Sequence, residues 1–254
     1  MHAANHPPVL RLLCVTAHPD DEAGGFGGSL RLYASRGVET YVVCLTAGAA
    51  ARHRGDAHSD QELMQLRRRE FQASCARLNV FQGEVLDYPD GKLVSAELNR
   101  VVGDLVQRIR SIRPHVLLTF GPDGGLTGHP DHAMAGIFAS LAFQWAARAD
   151  RFPEQLSPTA APHRVQKLYY QTALFTLPDR APIALPTVTT SIEIGEFLEV
   201  KLAAFRQHTT QAPLFPLFER FARQNGSHEH FHLAATSTPM RIQMEADLFT
   251  GVTP

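Results

Sequence analysis

The sequence predicts an α/β protein: a mostly parallel sheet with helices on both faces and a less regular C-terminal part. Three observations carry this. Apolar, β-branched runs of strand length alternate with amphipathic stretches of helical length over the first two thirds of the 254 residues. Such alternation builds right-handed βαβ units, whose parallel strands are covered on both faces in a Rossmann-like arrangement. After Asp150 the alternation stops and Pro and Ala accumulate, so regularity is expected to fall there.

Taken in order, Val9 to Thr16 is an apolar run that ends abruptly in polar residues, the mark of a buried strand. Leu30 to Ser35 lies in an amphipathic stretch. Thr40 to Thr46 (TYVVCLT) is a second buried strand. Asp60 to Leu78 reads as a long helix capped by Ser59 or Asp60. Val80 to Leu86 is a weaker third strand. Ala96 to Ile112 is a helix with Leu98, Val101, Val102, Leu105, Val106 and Ile109 on one face, and Pro114 ends it. His115 to Phe120 is a fourth strand and Asp131 to Ala147 a helix. Arg151 to Pro162 reads as a surface connection. Lys167 to Phe175 and Val188 to Ile194 suit further strands, and Glu196 to Gln207 a helix. Pro178 to Pro186 and Ala212 to Gly226 read as loop-like excursions near a site. With no internal repeat or low-complexity tail, residues 1–254 read as a single domain.

Composition excludes several classes. Hydrophobic residues at 44% and charged residues at 19% suit a globular chain rather than a disordered one. A formal net charge of -1 offers no support for nucleic-acid binding. The basic run Arg67-Arg68-Arg69 sits in a helical pattern and reads as a solvated face with at most one arginine turned inward. Cys14, Cys44 and Cys75 are too scattered for a disulfide framework or a thiolate zinc site, and Cys14 and Cys44 lie in apolar runs. No signal peptide and no apolar stretch of about 20 residues is visible, so the expectation is a cytoplasmic protein without membrane insertion.

Two clusters carry chemistry. Ala17-His18-Pro19-Asp20-Asp21-Glu22 directly follows the first strand, and Gly128-His129-Pro130-Asp131-His132 follows the fourth. In a doubly wound sheet strands one and four are neighbours, and the crevice opens at their carboxyl ends. Imidazoles and carboxylates from both clusters then face one cleft, where three of them could bind zinc and leave a position for water. A remaining carboxylate could take a proton, and a remaining His could stabilise charge on a carbonyl oxygen under attack. A single His-Pro-Asp turn is often no more than a capped helix start; two at matching strand ends argue for a site. Gly24-Gly25-Phe26-Gly27-Gly28 fits neither a dinucleotide fingerprint nor a Walker loop. Those glycines suit close approach of helix to sheet or of backbone to ligand.

With AHPDDE (Ala17 to Glu22) and HPDH (His129 to His132) in place, the chain resembles the PIG-L/LmbE family of zinc-dependent deacetylases. That family includes deacetylases of N-acetylglucosaminyl-phosphatidylinositol and of the mycothiol and bacillithiol precursors. Tyr88 to Gly91, Arg113 to Val116, Lys201 to Phe205 with His208 and Gln211, and Glu229 to Phe231 resemble further family segments, so the likeness covers most of the chain. It implies an N-deacetylase acting on a small, N-acetylated, sugar-like substrate of the N-acetylglucosamine type. It also implies His18, Asp21 and His132 as ligands of Zn2+, a set that Fe2+ could equally occupy. Asp20 is implied as the general base, and His129, protonated, as the group that stabilises the oxyanion. Asp131 would orient His129, while Arg67 and Asp90 fall where family members contact the sugar. Lys201, His208 and Gln211 are expected to be structural. Many family members form homo-oligomers, although no interface is legible here. One departure is Ala49, where the family often has Glu in the segment after strand two; with Arg52, His53 and Arg54 atypical as well, substrate contacts there are not transferable. Two alternatives stay open: an amidase of larger thiol-conjugate amides, and a non-catalytic metal- or nucleotide-binding module. The spare carboxylate of Asp20 beside the ligands argues against the second.

Overall fold

A computed structural model describes residues 9–177 and 184–254. Among the described residues, seven strands form one sheet in the order β3-β2-β1-β4-β5-β7-β6. The first four are β1 (Arg11–Thr16), β2 (Glu39–Thr46), β3 (Gln82–Tyr88) and β4 (Val116–Phe120), followed by β5 (Lys167–Thr172), β6 (Thr190–Glu193) and β7 (His228–Thr236). β1 pairs in parallel with both β2 and β4, as the doubly wound expectation requires. β5 continues the parallel set beside β4, and β7 and β6 close the edge antiparallel.

The helices are α1 (Asp21–Ser35), α2 (Asp60–Leu78), α3 (Leu98–Ile112), α4 (Pro130–Trp145), α5 (Leu198–Phe205) and α6 (Phe215–Asn225). α1, α2 and α5 pack together on one face of the sheet, and α3 pairs with α4 on the other. Leu12, Leu13, Cys14 and Val15 of β1 are fully buried between the two layers. α2 has the expected bounds, and the Ser59 side chain caps it by accepting from the Glu62 amide at 3.2 Å. On α3 the apolar face is buried except for Leu98, which lies exposed at the helix start. All three cysteines are buried free thiols. Among the described residues no helix is long and apolar enough to cross a membrane.

Two parts of the fold depart from expectation. Ala212 to Gly226 is not a loop: a 3-10 turn over Thr209–Leu214 leads into α6. Pro213 and Pro216 disguise it, because Pro216 occupies the first turn, where a missing amide costs nothing. β7 replaces a short closing element with a nine-residue strand. Of the Pro178 to Pro186 excursion, residues 178–183 lie outside the described residues.

The glycine run belongs to α1 rather than to a loop. A methyl group at Gly28 would stand 2.6–2.8 Å from three side-chain carbons of Ile194, so glycine permits the close seating of α1. Gly28→Ala is expected to destabilise the fold by about 1–3 kcal/mol through overpacking, outweighing the roughly 1 kcal/mol that alanine gains in a helix. Denaturant unfolding of the variant checks this.

Candidate active site

The two clusters meet at the carboxyl ends of β1 and β4. Chain reversal after β1 places His18, Asp20 and Asp21 in one turn, and α1 begins at Asp21. After β4, a glycine-rich 3-10 turn brings His129 to the cap of α4, where its Nδ1 accepts the Asp131 amide at 3.1 Å. Pro130 takes the first helical position, and His132 lies one residue beyond Asp131 on the same turn.

Asp21 stands between two imidazoles. Its Oδ2 is 3.6 Å from His18 Nδ1 and its Oδ1 is 3.1 Å from His132 Nε2. Around a tetrahedral zinc with bonds of 2.0–2.2 Å, neighbouring donors stand about 3.3–3.5 Å apart, and both Asp21 separations lie close to that spacing. The opposite edges of both rings are also engaged. His18 Nε2 faces Asp90 Oδ1 at 3.1 Å and Asp131 Oδ2 at 3.4 Å. His132 Nδ1 lies 3.2 Å from Thr127 Oγ1, and the His132 ring stacks on Phe120 at 4.1 Å. Partners of this sort fix the tautomer and direction of a metal-binding imidazole. A ring nitrogen of His129 also lies within 4.8 Å of nitrogens of His18 and His132, beside the same centre.

Charge is concentrated and balanced here. Against the cost of burial, the His132 imidazole holds Asp21 well below the usual carboxylate range. Burial opposes charge on His18 too, yet Asp131 and Asp90 push its imidazole up to about 10. Burial raises the Asp20 carboxyl to about 6, with Arg67 pulling it down and Asp21 pushing it up. Burial and the neighbouring imidazoles lower His129.

Asp20 adopts φ 113° and ψ −26°, a conformation that residues other than glycine seldom take. Such strain costs about 1–3 kcal/mol and persists only where the surroundings enforce it. Arg67, the one inward-turned residue of the basic run, is part of that enforcement. Its Nη2 donates to Asp20 Oδ2 at 2.9 Å and to the Pro19 carbonyl, and its Nη1 donates to the Gly48 carbonyl at 3.1 Å. Gly48 is required beneath it, since a Cβ there would sit 2.1 Å from Nη1.

Three expectations change with the geometry. The Asp131 carboxylate does not orient His129; it accepts from the Gly91 and Leu93 amides at 2.7 and 3.1 Å and faces His18. It sits in the first turn of α4, where the loop after β3 meets it, and only its backbone amide reaches His129. With Nδ1 accepting that amide, neutral His129 carries its proton on Nε2, so it can donate a hydrogen bond without the extra charge first expected. Arg67 and Asp90, expected to meet the sugar, already hold partners inside the protein: Asp90 Oδ2 accepts the Ala50 amide at 2.7 Å while Oδ1 faces His18. The pairing of His18 with Asp90 and Asp131 escaped the sequence reading. The Tyr88 to Gly91 segment was its one signal, without the pairing.

Residues 13–143 match the PIG-L family, described as GlcNAc-PI de-N-acetylase. The chain belongs to this family. A 1D-myo-inositol 2-acetamido-2-deoxy-alpha-D-glucopyranoside deacetylase of Rhodococcus erythropolis is 32% identical over 95% of this chain and 97% of its own. A mycothiol S-conjugate amidase of Streptomyces coelicolor is 28% identical over 96% and 97%. Among solved structures, the N,N'-diacetylchitobiose deacetylase of Pyrococcus horikoshii superposes with a TM-score of 0.74 at 24% identity, over 88% of this chain and 83% of its own, a likeness of fold. The PIG-L match spans both motif clusters, from β1 into α4.

Proposed function

We propose that this protein is a metal-dependent hydrolase that removes the acetyl group from a small N-acetylated sugar of the N-acetylglucosamine type. The observation that carries the reading is Asp21 standing between His18 Nδ1 and His132 Nε2, with Asp20 and His129 alongside. His18, Asp21 and His132 would hold the ion, Zn2+ or Fe2+. Bound there, it would supply Lewis acidity at the acetyl carbonyl and lower the pKa of water towards about 7.

The remaining steps belong to the chain's own groups. Arg67 fixes Asp20 Oδ2, which leaves the other oxygen to take the proton from the attacking water. His129 Nε2–H donates to the oxyanion as the acetamide carbon becomes tetrahedral. Asp20 then returns its proton to the departing nitrogen, releasing acetate and a free amine. Asp90 and Asp131 keep the His18 ring directed by accepting at Nε2.

The full-length likeness to a thiol-conjugate amidase favours one second reading, in which the same groups cut a larger amide. Chelation followed by metal return separates the readings when both substrate types are offered. The expected result is acetate release from N-acetylglucosaminides that chelator abolishes and Zn2+ or Fe2+ restores. Turnover of a thiol-conjugate amide alone would move the assignment to the amidase.

A further inference from the structure

Resting on the reading of Asp20 as the base, we propose that Glu22, clamped by His208 and Ser74, is a positioning residue that holds Asp20 in its left-handed backbone conformation. Asp20 is constrained at three points. Arg67 grips its carboxylate, Gly24 donates its amide to the Asp20 carbonyl at 2.8 Å, and the Asp20 N–H donates to Glu22 Oε2 at 3.0 Å. The last contact is of the capping-box kind: Glu22, in the first turn of α1, reaches back to the N–H of the N-cap residue, here Asp20 in its strained conformation.

Glu22 is itself immobilised. Its Oε1 accepts from Ser74 Oγ and from His208 Nε2, each at 2.6 Å, and all three residues are fully buried. His208 Nδ1 has no hydrogen-bond partner among the described residues, so the contact with Glu22 is what directs the imidazole. The chain that carries His208 is anchored in turn by Glu70, which accepts from the Thr209 hydroxyl and from the Thr210 amide and hydroxyl, each at 2.7 Å.

Arg67, Glu70 and Ser74 share one face of α2 at i, i+3 and i+7 spacing. Such a buried face is ordinarily apolar, and burying ionic groups instead is a weak route to stability. What it delivers here is direction: Arg67 reaches Asp20, Ser74 reaches Glu22, and Glu70 anchors the two residues that follow His208. Both carboxylate oxygens of Glu22 are hydrogen-bonded, which is what makes a buried carboxylate tolerable.

The test uses metal-loaded full-length protein with N-acetylglucosamine as the probe. Glu22→Ala is expected to lower kcat about 10²-fold, the cost of a base misplaced by about 1 Å, with KM and metal content unchanged. Glu22→Gln, whose amide oxygen still accepts the Asp20 N–H, should recover most of the rate. In an Asp20→Ala background, Glu22→Ala should change kcat by no more than about twofold, because its effect passes through Asp20. A loss that multiplies in that background, or one carried by KM or metal content, overturns the positioning role. A crystal structure of Glu22→Ala decides independently of turnover. Asp20 relaxed to negative φ with its contact to Arg67 broken is the expected result; φ unchanged near 113° overturns it. If Asp20→Ala alone left kcat intact, the reading of Asp20 as base would fail, and the crystal structure would still decide what Glu22 does.

Discussion

Asp21→Ala is expected to abolish metal binding and acetate release together, while Asp21→Asn keeps the fold and loses the metal. Asp21 connects the two clusters, with one oxygen toward His18 Nδ1 and the other toward His132 Nε2. The same carboxylate accepts the Ala17 and His18 amides at 3.1 and 2.8 Å, so it also shapes the turn after β1. Asparagine can keep those two acceptor contacts through its oxygen but cannot offer a second anionic donor. Metal content should therefore fall in both variants, and circular dichroism should stay native for Asp21→Asn. Metal catalysis is worth several kcal/mol, and each 1.36 kcal/mol is tenfold in rate, so the expected loss is about 10³-fold or more. Elemental analysis beside an acetate assay measures both effects.

His129→Ala is expected to lower kcat by about 10²–10³, the cost of removing one oxyanion donor, with the metal still bound. His129 is tied at Nδ1 to the Asp131 amide, which leaves Nε2–H as its free donor. Its ring stands edge to face with that of His18 at a centroid distance of 4.8 Å, so it borders the centre without being part of the Asp21 bridge. Loss of metal on substitution would instead make His129 a ligand, a role its nitrogen is close enough to fill.

Where the fold was legible in the sequence, local pattern decided it. α2 has its expected bounds because Ser59 supplies a cap and the helical pattern runs unbroken to Leu78. The pairing of β1 with β4 followed from winding, and that pairing alone brings residues 18–21 and 129–132 together. What escaped was non-local. The carboxylates of Asp90 and Asp131 meet His18 across 72 and 113 positions, and nothing periodic records such a meeting. Sequence motifs place Asp131 next to His129, and the backbone turn at the start of α4 directs its carboxylate elsewhere. α6 was hidden by prolines that a helix start accepts. The conformation of Asp20 has no signature in composition at all, since its support comes from α2 and from His208, 186 positions beyond Glu22.

Metal-dependent deacetylation with Asp20 as the base is tested most directly by acetate release from N-acetylglucosamine and its glycosides, including GlcNAc-malate, by metal-loaded wild type beside metal-loaded Asp20→Ala. Release by wild type that Asp20→Ala loses, at equal metal content, is the predicted result. Equal release by both proteins, or none from any acetylated sugar by a wild type carrying its metal, would contradict it.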